Sequence, residues 1–532
     1  MPQRKNNIKK ITLTGWNKYS IRFVDPPTWT WEPIPQIKKY VVNFATDKDK
    51  RAQSYSTSEP LFDMSSIWQK FPHGSIDMLI LGFDSNNKET CLANYKNFFK
   101  THDFDKAIQK PMDWSNAIIR NASYLLDESG DPVQDFEIGL PRGCWSSMEN
   151  SITREKWSNY VMPGLYHTSH IFAFLRFSQY FHTHPLAKEA KKQAKTYGDW
   201  LLNNRLPKDF TYSLFPFSNV GYGELEELGQ DPPRGTTVTR AGRVGIAMLE
   251  LYKQFDDISY FKYAEFLANS LVEFQRDDGS WPFRVNPKTG EVLSEYTSDA
   301  ITPARLFALL DTLKNKTTYK NARLKAIEWM LNGPIKSHRW EGMYEDTDNI
   351  EPYINLENLD TNEMIRYLIH FKNEDSRFLK IAEDLNRWIE DQFVVWHPDD
   401  CVSIGYGGSG GGIIGKTNLR SPTPTVLEQF QCDYPMESHT GNWLMSLIAL
   451  HQATEKEEYL LKGIATANSI QLGQQEHGAF STWGFDTRFN RPLNTLDWVG
   501  DNACGHTGLI LWNQYYSALQ NNTKFELGLW GL

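Results

Sequence analysis

The segment YFKYAEFLANSLVEFQRDDGSWPFRVNPKTGEVLSEYTSDAITPARLFALLDTL, from Tyr260 to Leu313, decides the fold. Its first part, to Arg276, sets Phe261, Ala264, Leu267, Ala268, Leu271 and Phe274 at spacings of three and four, with Lys262, Glu265 and Glu273 off that stripe. One apolar face with charges opposite predicts an amphipathic helix on the outside of a core. Asp277-Asp278-Gly279-Ser280 stops it, because glycine takes the left-handed backbone that ends helices. Trp281-Pro282-Phe283-Arg284-Val285 reads as a short extended piece and Asn286-Pro287-Lys288-Thr289-Gly290 as a turn. Thr297-Ser298-Asp299 can cap the next helix, Ala300 to Leu310, which is small and apolar nearly all round. A helix without a polar face has little contact with water. The segment is therefore an outer helix, an aromatic loop and an inner helix.

The same pattern recurs from Asp113 to the end of the chain. Outer-type segments begin near Asp113, Leu186, Tyr260, Tyr319, Ser376 and Glu458. Inner-type segments begin near Pro163, Thr237, Asp299, Asp360, Glu437 and Asp501, and carry runs such as Gly245-Ile246-Ala247-Met248-Leu249. Inner-to-outer turns are short, at His184-Pro185, Asp256-Asp257, Asn315-Lys316, Lys372-Asn373 and Glu455-Lys456. Outer-to-inner loops are all long, roughly 20 to 40 residues against the usual handful. Six pairs with one-sided loop lengths predict a closed (α/α)6 toroid whose long loops gather at the end where the inner helices begin. Long loops on a rigid scaffold are where sites are built, and the helix N-termini there favour anions.

Residues 1–95 read as a small antiparallel β-sandwich, from Ile11-Thr12-Leu13-Thr14, Thr28-Trp29-Thr30-Trp31, Lys39 to Phe44 and Ile76 to Leu81. Trp29-Thr30-Trp31, Tyr40-Val41-Val42 and Gly82-Phe83-Asp84 loosely resemble a fibronectin type III module. The sandwich serves as a scaffold, a sugar-binding module or a wall of the cleft. Residues 96–110 read as a linker and 111–532 as the toroid, so the expected class is mainly α, a toroid preceded by a β-sandwich.

The net charge of −9, with no basic run, argues against nucleic acid as a partner. No apolar run reaches the roughly 18 residues of a membrane span, and no signal peptide is visible behind Met1 to Asn7. The five cysteines, at 91, 144, 401, 432 and 504, form no CxxC pair, so neither a disulfide framework nor a structural zinc is expected. His167 and His170 share a helix face at a spacing that suits metal, but no third ligand accompanies them. No metal and no cofactor are expected, and His167 is expected to touch substrate.

Six hairpins with the aromatic loops Asp278 to Arg284 and Gly478-Ala479-Phe480-Ser481-Thr482-Trp483 resemble the six-hairpin carbohydrate-active enzymes. Unsaturated glucuronyl hydrolases, other uronic-acid glycosidases and toroid polysaccharide lyases are among them. The resemblance covers about residues 110–532 and implies a saccharide substrate. At the loop end, Arg339-Trp340-Glu341-Gly342-Met343-Tyr344-Glu345-Asp346 sets carboxylic acids among aromatics, which raise a carboxyl pKa and suit it to general-acid work. Glu428 to His439 brings Tyr434, Glu437 and His439 to the start of an inner helix, where Glu437 also reads as a cap. Asp501, opening the last inner helix, is a cap, a base or a substrate contact. Eighteen tryptophans are many, and Trp145, Trp281, Trp340 and Trp483 all fall in long loops, where they stack on sugar rings or plug the mouth.

Arg240, Arg243, Arg305 and Arg366 lie on inner helices, where a buried guanidinium requires an anion or an acceptor. For Arg240 and Arg243, near the rim, a substrate carboxylate and an internal acid are equal readings; for Arg305 and Arg366 internal pairing leads. Arg284, Tyr344 and Tyr434 complete the expected substrate contacts. The expected function is hydrolysis of a uronate-containing saccharide, with Glu345 or Asp346 in one carboxylate role, Glu437 in the other and His439 assisting. The alternatives are β-elimination by a lyase using Arg, His439 and Tyr434, and glycan binding without catalysis.

Overall fold

The computed structural model describes residues 11–46, 48–49, 51–127, 148–157, 160–218, 220–221, 235–314, 317–343, 357–400, 403–405, 413–415, 421–429, 435–482, 485–486, 491–492 and 496–528. The chain divides into two compact units, residues 1–105 with 387–400, and residues 106–386 with 401–532.

In the first unit, strands β1 (Arg22–Phe23), β3 (Lys39–Thr46), β4 (Gln53–Thr57), β6 (Gly74–Phe83) and β7 (Glu89–Lys100) form one sheet in the order β1-β7-β6-β3-β4. Strands β2 (Thr28–Thr30) and β5 (Leu61–Asp63) form a separate antiparallel pair. Alternation decides which face is buried. Tyr40, Val42 and Phe44 of β3 and Ile76, Met78 and Ile80 of β6 all point into the core, around Trp29, Trp68 and Phe98. One pairing departs from the antiparallel expectation: β1 runs parallel to β7. Residues 96–100, expected in a linker, are the end of β7, because they continue its ladder with β6. Asp391 belongs to this unit and accepts hydrogen bonds from the Trp16 indole at 2.9 Å and the Val24 amide at 2.8 Å.

The second unit is the toroid. Outer helices are α1 (Trp114–Leu126), α3 (Leu186–Asn203), α5 (Ile258–Glu273), α7 (Thr317–Asn332), α9 (Phe378–Gln392, whose residues from Arg387 on are grouped with the first unit) and α11 (Glu457–Leu472). Inner helices are α2 (Pro163–Tyr180), α4 (Arg240–Phe255), α6 (Ile301–Lys314), α8 (Leu359–His370), α10 (Glu437–Thr454) and α12 (Val499–Gln520). Burial follows the sequence pattern. Every residue of α6 from Ile301 to Leu310 and of α10 from Glu437 to Leu450 is buried, whereas α5 buries only one face. Each inner helix packs on the next, and α12 packs on α2, so the ring is closed. The first and last helices meet as closure requires. Asn513 donates to Ser115 at 3.2 Å, Asn121 to Asn502 at 3.1 Å, and Trp114 meets Trp512 edge-on. None of the described helices is long and apolar enough to cross a membrane.

Small residues let the inner helices close so tightly. A Cβ at Gly508 of α12 would lie 2.6 Å from the Cα of Gly441 on α10, and one at Gly245 of α4 would enter the Leu306 side chain. At Gly508 the neighbour is backbone and cannot step aside. Gly508→Ala should therefore destabilise the protein by about 3 kcal/mol, the upper end for overpacking a core. An unchanged Tm would show that α10 and α12 can separate at no cost.

The two aromatic loops are one structure used twice. Gln275 and Gln474 each end an outer helix, and each side-chain amide donates to the carbonyl of the loop glycine, Gly279 at 3.0 Å and Gly478 at 2.9 Å. The same amides reach the next outer helix, at the carbonyls of Ala322 and Ala117. Both glycines have positive φ, +96° and +99°, and both press on that neighbouring helix, so a side chain is excluded on two counts. The turn fastens each hairpin to the following one. Its aromatic residue goes into the core: Trp281 is 1% exposed with its indole donating to the Leu271 carbonyl, and Phe480 is fully buried.

Candidate active site

Each inner helix offers a side chain to the ring interior one to two turns from its N-terminus. Ser169 of α2, Arg243 of α4, Arg305 of α6, Glu363 and Arg366 of α8, Asn442 of α10 and Cys504 of α12 line one cavity of about 20 Å³. That is room for a single water-sized group. Glu363 is the hub. Its Oε2 meets Arg305 Nη1 at 2.5 Å and accepts from Thr302 at 3.2 Å, and its Oε1 meets Arg243 Nη1 at 3.4 Å. Burial alone would raise its pKa, but the Arg305, Arg243 and Arg366 charges hold it down to about 2. Arg243 is further anchored by Thr168 at 2.9 Å and Ser169 at 3.2 Å. Among the described residues Arg366 has no carboxylate as a hydrogen-bond partner. It donates to the Asn442 carbonyl at 3.2 Å and to Asn442 Oδ1 and Ser446 Oγ, both at 3.4 Å. Burial and the neighbouring Arg305 and Arg243 push its pKa down to about 9, against the pull of Glu363.

Above this layer, where the inner helices begin, sit buried carboxylic acids. Asp299 accepts from Thr239 at 2.9 Å and from the Thr302 amide at 3.3 Å, and so caps α6. Asp360 accepts from Ser298 at 2.7 Å. Glu357 accepts from the amides of Leu359 and Asp360. Burial raises all three. Mutual repulsion adds to it at Asp360 and Glu357, Glu357 reaching about 8, while Arg240 opposes the rise at Asp299. A second group spans α10 and α12. Burial and then the Asp501 charge raise Glu437 well above the usual carboxyl range, and burial lifts Asp501 to about 7 against its hydrogen bonds. Asp501 Oδ1 accepts from the Ser438 amide at 2.9 Å, so it caps the neighbouring helix rather than its own. The N-cap residue of α10 is Met436, which makes no side-chain capping bond, and Glu437 is the first residue of the helix. Glu437 Oε1 would lie 3.7 Å from a Cβ on Gly473, where the long loop leaves α11. Glu437 Oε2 and Asp501 Oδ2 are buried without a hydrogen-bond partner among the described residues. Two buried acids so placed repel each other as charges, which favours the protonated form of Glu437.

Of the residues expected at the site, Arg243 lines the cavity, and Glu437, Asp501, Arg240 and His439 stand at the N-terminal ends of the inner helices. Arg240 is buried and donates to the Met343 carbonyl at 2.8 Å. His439 is fully buried with Nδ1 3.2 Å from Asn358 Oδ1, and burial lowers its pKa to about 3, so its ring is neutral. Others are placed away from the ring interior. His167 turns outward, edge-on to Trp200 and Tyr197 of α3, and both ring nitrogens lack partners among the described residues. Trp281 and Trp340 are core side chains, at 1% and 0% exposure. Arg284 is buried in a short strand paired with Thr237. Trp145, Tyr344, Glu345, Asp346, Tyr434 and Trp483 lie outside the described residues. Among the described residues no three His, Cys, Asp or Glu side chains are arranged to hold a metal ion.

Glu363, Glu357, Asp360, Asn442 and Cys504 were not legible as site residues. Asp360 reads only as a helix start, and nothing in the sequence beside the others marks them. Arg305 and Arg366 supplied the one available signal: two guanidiniums on helices without a polar face call for anions nearby.

No known protein family matches the sequence, and no curated protein does. Solved structures match in fold. A D-mannose isomerase aligns over 78% of this chain and 99% of its own at 10% identity, with a TM-score of 0.51. An unsaturated glucuronyl hydrolase specific for heparin aligns over 77% and 97% at 11% identity, TM-score 0.48. A family 76 glycoside hydrolase from a bovine Bacteroides thetaiotaomicron strain aligns over 96% and 100% at 10% identity, TM-score 0.47. At such identities the likeness is one of architecture, and the architecture is the (α/α)6 toroid found among carbohydrate-active enzymes.

Proposed function

We propose that this protein is a carbohydrate-active enzyme that hydrolyses a uronate-containing oligo- or polysaccharide at the loop end of the toroid. The observation that carries this reading is the charge of the inner layer: among the described residues that line the cavity, three guanidiniums, Arg243, Arg305 and Arg366, accompany one carboxylate, Glu363. A saccharide carboxylate reaching Arg243 would compensate that excess through charge-assisted hydrogen bonds. The chemistry then falls to the acids above it. Glu437, whose proton is held more tightly because it is buried beside Asp501, is the candidate to protonate the leaving oxygen. A carboxylate of the loop after Trp340, Glu345 or Asp346, is the candidate to activate water.

The same arginines would serve a lyase, since neutralising a uronate carboxylate eases loss of the C5 proton. His439, with its pKa lowered to about 3, is a weak base for that step, which favours hydrolysis. The two reactions differ in their products. Incubation with saturated uronate oligosaccharides should release reducing ends with no new near-ultraviolet absorbance. An absorbance rise matching the new ends would establish β-elimination instead. Tight binding without product would make the protein a glycan receptor.

A further inference from the structure

The ion pairing at the centre of the ring is incomplete. Both oxygens of Glu363 are taken, one by Arg305 with Thr302 and the other by Arg243. Arg366 is 1% exposed, its three hydrogen bonds go to neutral oxygens at 3.2 to 3.4 Å, and its Nε has no partner among the described residues. The remaining polar groups of the cavity supply no negative charge. Asn442 spends its amide on the Ser438 carbonyl at 3.0 Å. Cys504 stays a thiol, because burial raises its pKa, and its sulfur lies 3.1 Å from Ser169 Oγ. Even with its pKa lowered to about 9, the Arg366 guanidinium stays charged near neutral pH, so it does not escape burial by neutralising. A buried charge without a counter-charge is among the costliest arrangements in a protein interior.

We propose that this cavity is an anion site, in which Arg366, Arg305 and Arg243 hold one small monovalent anion, chloride in the free protein. The cavity's size, about 20 Å³, admits one small ion and excludes a sugar ring. Its donors come from three inner helices, α4, α6 and α8, so the bound ion ties together half of the ring. This goes beyond the saccharide reading and does not depend on it. A substrate carboxylate offers the same chemistry and would displace the ion if it reaches this depth.

The test uses the full chain at constant ionic strength, with sodium chloride exchanged stepwise for sodium methanesulfonate, whose anion is too large for the cavity. Tm should climb with chloride by several degrees, with the logarithmic concentration dependence of a ligand that binds only the folded state. Arg366→Met should lose the response. An equal Tm in the two salts, or a full chloride response in Arg366→Met, would overturn the site. Should that variant fail to fold, the chloride NMR linewidth of the unaltered protein decides. Broadening that bromide titrates away is expected, and its absence rejects the proposal. Sodium glucuronate distinguishes the two sources of anion. If it abolishes the chloride response, saccharide carboxylates reach the same arginines. If it leaves the response intact, the inorganic site stands and the placement of substrate at this layer falls.

Discussion

Replacing Glu437 with glutamine should lower kcat by about a hundredfold or more on a uronate oligosaccharide, the scale expected for losing a general acid. Glutamine keeps the shape of the side chain, so the packing against Gly473 and Gly505 is retained. What disappears is a proton that burial and the Asp501 charge hold more tightly than an ordinary carboxyl would. In the unaltered protein kcat should fall as pH rises past the upper titration of the pair, above the usual carboxyl range, and the variant should lack that limb. Stability responds in a related way. A carboxyl whose folded pKa is raised contributes most below its unfolded value of 4.5, and that contribution is lost as pH climbs from there through the folded value. Glu437→Gln should therefore be the more stable protein at high pH while being the poorer catalyst. Full turnover with altered stability would make Glu437 a structural acid and move the chemistry to the loop after Trp340.

Arg243→Met should lower kcat/KM for a uronate substrate by about a hundredfold, the size of effect expected when one partner of a buried charge pair is truncated. Methionine preserves the apolar stem, and Glu363 keeps Arg305 at 2.5 Å, so the ring should stay closed. The control is a saccharide of the same linkage with its carboxylate reduced to an alcohol. For that substrate the variant and the unaltered protein should differ by less than about threefold, because the lost interaction is with charge alone. Equal losses on both substrates would place Arg243 in the architecture of the cavity and remove it from substrate recognition.

The helical frame was legible because it is written in local periodicity. All twelve helices begin within three residues of the positions read from the pattern, as at Leu186, Pro163 and Glu437. Closure into a ring followed from loop lengths, which constrain where consecutive helices lie. The loop Asp278 to Trp281 and its partner at Gly478 were visible as a repeated style, but their use was not. Whether an indole in a long loop faces sugar or core depends on what packs against it, and for Trp281 that is α5 and Phe307. His167 misleads in the same way. Its helix has no polar face, so sequence cannot tell the side turned to the channel from the side turned to α3.

By itself, then, the sequence determined the six hairpins and the alternation of inner and outer helices. Each of these is a property of residues a few positions apart. The charge of the central layer was decided by tertiary structure alone. Arg243, Arg305, Glu363 and Arg366 come from three helices, and a sequence can state that each is buried without stating which cations share the single carboxylate. The elevated pKa values of Glu437 and Asp501 likewise exist only where α10 meets α12. Electrostatic coupling falls off over a few ångströms in space, and the ring brings within that range residues that the chain holds some sixty positions apart.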